Sequence, residues 1–314
     1  KDLTDVIATE HGLSVDETSF SAEMKNQRER SRGGNIGSDA VEKIYKDIAQ
    51  SVQTSFIGYE DENTALTERA NKWRNFDHND TIYQQTCTQI KVLIQNNVEV
   101  ETAQENVVEI VLDPTPFYGE SGGQIGDTGI ITGENNLVIQ ILDAQKPIDT
   151  LTIAKGKIVS GTCTKGQEVW AGYNPRERQE IRAHHSATHL LHGALRQVLG
   201  AHVQQAGSLV DSQHLRFDFS HFEALSAVQL EEIESIVNHQ ISNASHVQTE
   251  VLSFDEAKEK GALALFGEKY GETVRVVSMG SSVEFCGGTH IGNTSDIDML
   301  LITREEAIAS GVRR

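Results

Sequence analysis

Cysteine, proline and aromatic residues are all scarce in this chain, with 3 Cys, 4 Pro and 6% aromatics among 314 residues. The scattered thiols Cys87, Cys163 and Cys286 cannot build a disulfide framework, and their small odd number points to a reducing, cytoplasmic setting. No run of about 18 apolar residues occurs, so no membrane-spanning helix and no membrane partner are expected. Lys1-Asp2-Leu3-Thr4 shows neither a signal-peptide pattern nor a starting Met, and the chain reads as a soluble segment beginning within a longer protein. Basic residues are outnumbered 27 to 46, and the resulting −19 charge repels a nucleic-acid backbone at long range. Any contact with nucleic acid therefore has to be local.

What is present is globular: 38% hydrophobic and 23% charged residues, in a length suited to about two domains. The first fifty residues read as helices. Ser14-Val15-Asp16-Glu17 fits a capping box with Phe20 and Met24 on one face, and Val41, Ile44, Tyr45, Ile48 and Val52 recur at helical spacing. From Ile90 to Tyr173 the pattern changes to short β-prone runs at Ile90–Ile94, Val107–Leu112, Leu137–Leu142, Leu151–Ile153 and Val169–Trp170, as in a compact barrel or sandwich. Between them Gly119–Gly129 is dense in glycine and fits either a backbone cradle for an anion or a sharp barrel turn. Asn174-Pro175 then opens a helix that runs to Gly200, and Ser226–Gln229 opens another. Strands are expected at His246–Leu252, Val274–Ser278, Val283–Phe285 and Met299–Thr303. The fold class that follows is α+β: a helical segment, a small β-barrel, then a mixed α+β unit.

Two short motifs carry chemistry. His185-Ser-Ala-Thr-His189 and the distant Cys286-Gly-Gly-Thr-His290 each place two metal-ligand types at i and i+4. Together they supply three nitrogens and a sulfur, a donor set for tetrahedral Zn²⁺ at about 2.0–2.3 Å. A zinc peptidase helix would carry Glu where Ser186 stands, and a zinc finger needs its Cys pair first. Both are excluded. His184 and His192 lie on the same helix; His185 and His192, about 10.5 Å apart along the axis, cannot share one ion, whereas His189 with His192 remains open. A nucleophilic Cys286 with His290 as base is the competing reading. Nearby, Arg216 and Asp218 occupy one strand face as a structural ion pair or as ligand-binding groups. Arg176, Arg178 and Arg182 offer either phosphate contacts or a solvated helix face.

The runs H-H-S-A-T-H-L-L-H (His184–His192), H-V-Q-Q-A-G-S-L-V (His202–Val210), R-F-D-F-S-H (Arg216–His221) and C-G-G-T-H (Cys286–His290) closely resemble the editing domain of the alanyl-tRNA synthetase family. F-Y-G-E-S-G-G-Q-I-G-D-T-G (Phe117–Gly129) resembles the barrel that precedes it, and Asp2-Leu3-Thr4, Gln27–Arg32 and Phe56–Tyr59 resemble the end of the helical tRNA-recognition region. Residues 60–104 match the family poorly, and Thr294-Ser-Asp-Ile-Asp298 carries Asp where the family usually has Gly.

The resemblance implies an internal, bacterial- or organellar-type fragment in three parts. Residues 1–60 would end the recognition region, 61–174 form the barrel, and 175–314 form a zinc-dependent editing core, truncated after Gly311–Arg314. It implies one Zn²⁺ held by His185, His189, Cys286 and His290, with Gln205 close to the substrate and water. ATP and Mg²⁺ belong to a charging domain outside the chain, which attaches alanine to its tRNA. The expected activity is hydrolysis of mischarged Ser-tRNA(Ala) and Gly-tRNA(Ala), with the aminoacylated 3′ end of tRNA(Ala) as partner. The alternatives are a zinc-stabilised tRNA-binding module without catalysis and a free-standing editing protein.

Overall fold

The structure, a computed structural model, describes residues 38–59, 74–263 and 271–314. The expected capping box at Ser14–Glu17 lies outside the described residues. The chain divides into two compact units at Ser51 and Val52. In the first, helix α1 (Ser38–Ala49) covers the stretch where Val41, Ile44, Tyr45 and Ile48 recur at helical spacing.

The second unit begins with strands β1 (Arg74–His78), β2 (Thr81–Gln95), β3 (Val98–Val100), β4 (Thr102–Ala103) and β5 (Val107–Asp113). These are followed by β6 (Gly129–Gly133), β7 (Leu137–Ile148), β8 (Leu151–Ser160), β9 (Cys163–Thr164) and β10 (Glu168–Tyr173). Every strand expected between Ile90 and Trp170 falls inside one of them. Six antiparallel strands run β2–β10–β6–β7–β8–β5, and β5 returns to β2, closing a barrel. Its interior is filled at period two by Val108, Ile110 and Leu112, by Leu137, Ile139 and Ile141, and by Val169, Ala171 and Tyr173. Asn79-Asp80 and Asn96-Asn97 make tight connections with φ between +50° and +63°, a left-handed conformation that Asn and Asp tolerate.

Helix α2 (Pro175–Leu199) leaves the barrel directly. Asn174 caps it by accepting from the amides of Arg176 and Glu177, Pro175 takes the first turn, and Gly200 ends it, as expected. Around it lie β11 (Gln205–Val210), β12 (Leu215–Ser220), α3 (Ala227–Ser242), β13 (Gln248–Ser253), α4 (Phe254–Glu259), β14 (Thr273–Met279), β15 (Ser282–Phe285), β16 (Ala307–Ala309) and β17 (Val312–Arg313). They form two small sheets, β11–β12–β17–β16 and β13–β14–β15. Leu190, Ala194 and Leu195 of α2, Ile233 and Val237 of α3, and Phe217 and Phe219 of β12 share one core. Ser226 forms the expected capping box with Gln229.

Met299–Thr303 is not a strand, contrary to expectation. Its backbone is taken up by side chains of α3: Asn238 both donates to and accepts from Leu300 at 2.9 Å, and Glu234 accepts from the Ile302 amide at 2.5 Å. Burial still alternates at its start, with Leu300 inside and Met299 and Leu301 exposed. Just before it, Asn293 caps a 3-10 turn at Thr294–Asp296.

Candidate metal centre

On α2, Arg178, Arg182, His185, His189 and His192 follow one another at steps of four and three residues and so share one face. All five are buried. Arg178 and Arg182 therefore do not form a solvated face. Arg178 makes a two-pronged ion pair with Asp127 of the glycine-rich loop, 2.7 Å at its Nε, and donates to the carbonyls of Gly58 and Pro116 at 3.0 Å. Its guanidinium also lies 3.9 Å from the centre of the Tyr173 ring. Arg182 donates to the Gly58 carbonyl at 3.1 Å, while Arg176 stays on the surface, paired with Glu180 at 3.3 Å.

One turn further along, the His185 and His189 rings stack in parallel with centroids 5.4 Å apart. Cys286 and His290 reach them from the turn after β15. The donor atoms of His185, His189, Cys286 and His290 all lie within 4.8 Å of one another, a set that can hold a metal ion. The Cys286 Sγ stands 3.3 Å from Nε2 of both His185 and His290. His189 Nε2 is buried with no hydrogen-bond partner, the expected state of a lone pair aimed at an ion. His192 stays outside the cluster, its Nδ1 bound to Glu284. A Cβ on Gly288 would overlap the His185 ring, so a glycine there allows the loop to close on the helix.

Each cluster histidine uses its other nitrogen to grip a neighbour. His185 Nδ1 donates to Gln124 Oε1 at 2.8 Å and His189 Nδ1 to Glu284 Oε2 at 2.8 Å, and His290 Nδ1 is hydrogen-bonded to Ser186 Oγ at 3.0 Å. This leaves all three Nε2 atoms facing the sulfur, the orientation that outer partners impose on metal-binding imidazoles. Glu284 also accepts from His192 Nδ1 at 3.0 Å and from Ser282 Oγ at 3.0 Å.

The electrostatics are those of a buried, mixed-charge cluster. Burial alone would raise the Cys286 thiol, but His185, His290 and His189 draw it well below its ordinary range, favouring thiolate. Burial opposes charge on His189 as well, yet Glu284 and Cys286 push it up to about 10. Burial lowers His290 to about 3, with His185 adding to the effect against the pull of Cys286. Glu284 is held well below the carboxylate range: its burial is outweighed by charge and hydrogen bonds from His189 and by His192.

The glycine-rich loop serves as a bridge from the barrel to this centre. The amides of Glu120, Ser121, Gln124, Ile125 and Asp127 are all bonded to backbone carbonyls and are not directed at an anion. Gly123, at φ +86°, lets the loop run against Ser208, where a Cβ would come within 2.7 Å of the serine Cβ. Gln124 is carried inwards, fully buried, where its Oε1 also accepts from the Thr289 amide at 3.0 Å. Sequence reasoning passed over Gln124 and Glu284; a lone amide amid glycines and a lone carboxylate in an apolar strand were their only signals. Gln205 opens β11 opposite Phe219 and is half-buried. Arg216 and Asp218 lie 3.8 Å apart, but the closer partner of Asp218 is Arg314, at 2.7 and 3.0 Å through two nitrogens.

Comparison with known proteins places the chain in a family. The model for class II (A) tRNA synthetases matches residues 1–177, and that for the second additional domain of threonyl and alanyl tRNA synthetases matches 274–314. Alanine–tRNA ligases of Myxococcus xanthus, Anaeromyxobacter dehalogenans and Hydrogenovibrio crunogenus are 43%, 44% and 45% identical over 100% of this chain. The chain spans about a third of the length of these curated relatives, 33%, 32% and 33% respectively. Barrel and α+β core together are similar, along the whole chain, to aminoacyl-tRNA synthetases. The chain belongs to the alanyl-tRNA synthetase family.

Proposed function

We propose that this segment is the editing part of an alanine–tRNA ligase and hydrolyses Ser-tRNA(Ala) and Gly-tRNA(Ala) while sparing Ala-tRNA(Ala). The observation that carries the reading is the convergence of His185, His189, Cys286 and His290 on one point. Three imidazoles, a low-pKa thiol and an unpartnered buried Nε2 suit zinc, a borderline ion with N and S preferences. When bound, zinc supplies a fixed positive charge that holds the acceptor end of the tRNA. Gln124, Glu284 and Ser186 keep the imidazoles turned towards it, and Gln205 positions the ester and the attacking water. Water adds to the ester carbonyl carbon, the bond to the ribose oxygen breaks, and the ribose oxygen takes up a proton.

The need for such a step is steric. A pocket shaped for alanine cannot exclude the smaller glycine and rejects serine only weakly, so a second, hydrolytic selection is required. With a net charge of −19, recognition of tRNA(Ala) is confined to its 3′ end and to local contacts. ATP- and Mg²⁺-dependent attachment of alanine falls to other parts of the parent ligase, in the cytoplasm.

One observation favours a second reading. Four protein donors fill a tetrahedral shell, as in structural zinc sites, which suits a zinc-stabilised tRNA-binding module. The zinc-loaded chain should be incubated with Ser-, Gly- and Ala-tRNA(Ala). Release of serine and glycine with Ala-tRNA(Ala) left intact is expected, whereas binding without hydrolysis would establish the module. A Cys286→Ala variant that kept both its zinc and its deacylation rate would remove the ligand assignment.

A further inference from the structure

The two halves of the metal cluster come from elements that do not hold each other in place by backbone pairing. A third segment touches both. The carbonyl of Gly58 accepts from Arg178 Nη1 at 3.0 Å and Arg182 Nη2 at 3.1 Å, on the helix that carries His185 and His189. The next residue reaches the other half: the Tyr59 hydroxyl donates to the Gly287 carbonyl at 2.6 Å. Arg275 completes the grip. Its guanidinium lies 4.2 Å from the centre of the Tyr59 ring, and its Nη1 donates to the carbonyls of Cys286 and Gly288 at 2.9 Å each.

We infer that Gly58–Tyr59 is a strap and that Tyr59 and Arg275 are positioning residues, which set the metal's coordination geometry from outside the ligand set. The inference rests on reading His185, His189, Cys286 and His290 as the ligands. Three successive carbonyls, those of Cys286, Gly287 and Gly288, are held by these two side chains. That matters because a Gly-Gly peptide has little conformational preference of its own. With the Gly287 carbonyl released, the Gly287–Gly288 peptide is free to turn, and the link between Cys286 and His290 loosens while every ligand remains present.

The strap is itself anchored. Phe56 sets its ring edge-on to Tyr59 at 4.7 Å and to Tyr118 at 5.7 Å, and it bridges Thr115 at the start of the glycine-rich stretch. Gly58 is buried where a Cβ would come within 2.5 Å of the Phe56 ring and 2.9 Å of Arg178 Nη1. A pull on the chain just before the barrel is therefore delivered to both ligand pairs.

Cobalt(II) in place of zinc tests this, because its visible bands report coordination geometry and its near-ultraviolet band reports the Co–S bond. Tyr59→Phe keeps the ring contacts and removes the hydroxyl that donates to the Gly287 carbonyl. It should shift the visible bands and speed loss of zinc to a chelator by about tenfold, the low end for outer partners of metal sites. Arg275→Met, which removes the Nη1 donor to both carbonyls and the cation over the Tyr59 ring, should act in the same direction, and circular dichroism checks that each variant is folded. Parent-like bands and release rates in both variants would overturn the strap and leave the ligand assignment standing. A parent chain that binds no cobalt would overturn both.

Discussion

Glu284→Gln offers the sharpest test of how the centre is built. The carboxylate is 3% exposed and accepts from His189 at 2.8 Å, His192 at 3.0 Å and Ser282 at 3.0 Å. Glutamine has nearly the same shape, but only one of its two terminal atoms accepts hydrogen bonds, and the other presents N–H groups. One Nδ1–H of the histidine pair then faces a donor. The ring must turn or change tautomer, and in His189 either change takes Nε2 away from the ion. A lost charge-assisted hydrogen bond is worth about 1.5–3 kcal/mol. At about 1.4 kcal/mol per tenfold, zinc affinity should fall by roughly 10- to 100-fold, the range found when outer partners of metal-binding histidines are removed. Competition against a chromophoric chelator measures this directly, with circular dichroism as the check on folding. A folded Glu284→Gln protein with parental affinity would show that Glu284 does not orient His189, and the argument from the three Nδ1 contacts would fail.

The Arg178–Asp127 pair, 1% and 3% exposed at its side chains, should be costly to break from one side. Asp127→Asn is expected to destabilise the chain by about 3–5 kcal/mol in urea unfolding, and Asp127→Asn with Arg178→Met by less, because no unpaired charge is then buried; a single variant within 1 kcal/mol of the parent would refute this. A pH effect follows from His189, pushed up to about 10 in the metal-free protein. Because its folded value is raised, its contribution to metal-free stability is complete below the ordinary histidine value of 6.5 and is lost as pH rises through about 10. Zinc needs the neutral ring, so binding at pH 7.5 should expel about one proton. Calorimetric titration in buffers of different ionisation enthalpy reads that proton, and a binding heat independent of buffer would contradict the assignment.

Local signals in the chain were enough for the long helices α2 and α3 and for five of the ten strands β1–β10. Short β-prone runs between Gly and Asn turns marked those strands, Asn174-Pro175 and Gly200 bounded α2, and the Ser226 capping box opened α3, because each depends on neighbours within a few residues. The i, i+4 pairs at His185/His189 and Cys286/His290 were visible for the same reason: a single turn brings each pair together. Which groups compensate a buried polar face is a different kind of question. Arg178 and Arg182 look solvent-facing until Asp127 and the carbonyls of Gly58 and Pro116 arrive from elsewhere. Met299–Thr303 looks like a strand until Asn238 and Glu234 take its backbone bonds. Gln124 and Glu284 acquire a role only where the folded chain sets them against His185 and His189. The residue types able to hold a metal are thus written into the sequence, whereas their aim was decided by tertiary packing, since hydrogen bonds to buried imidazoles must come from whatever segments the fold places beside them.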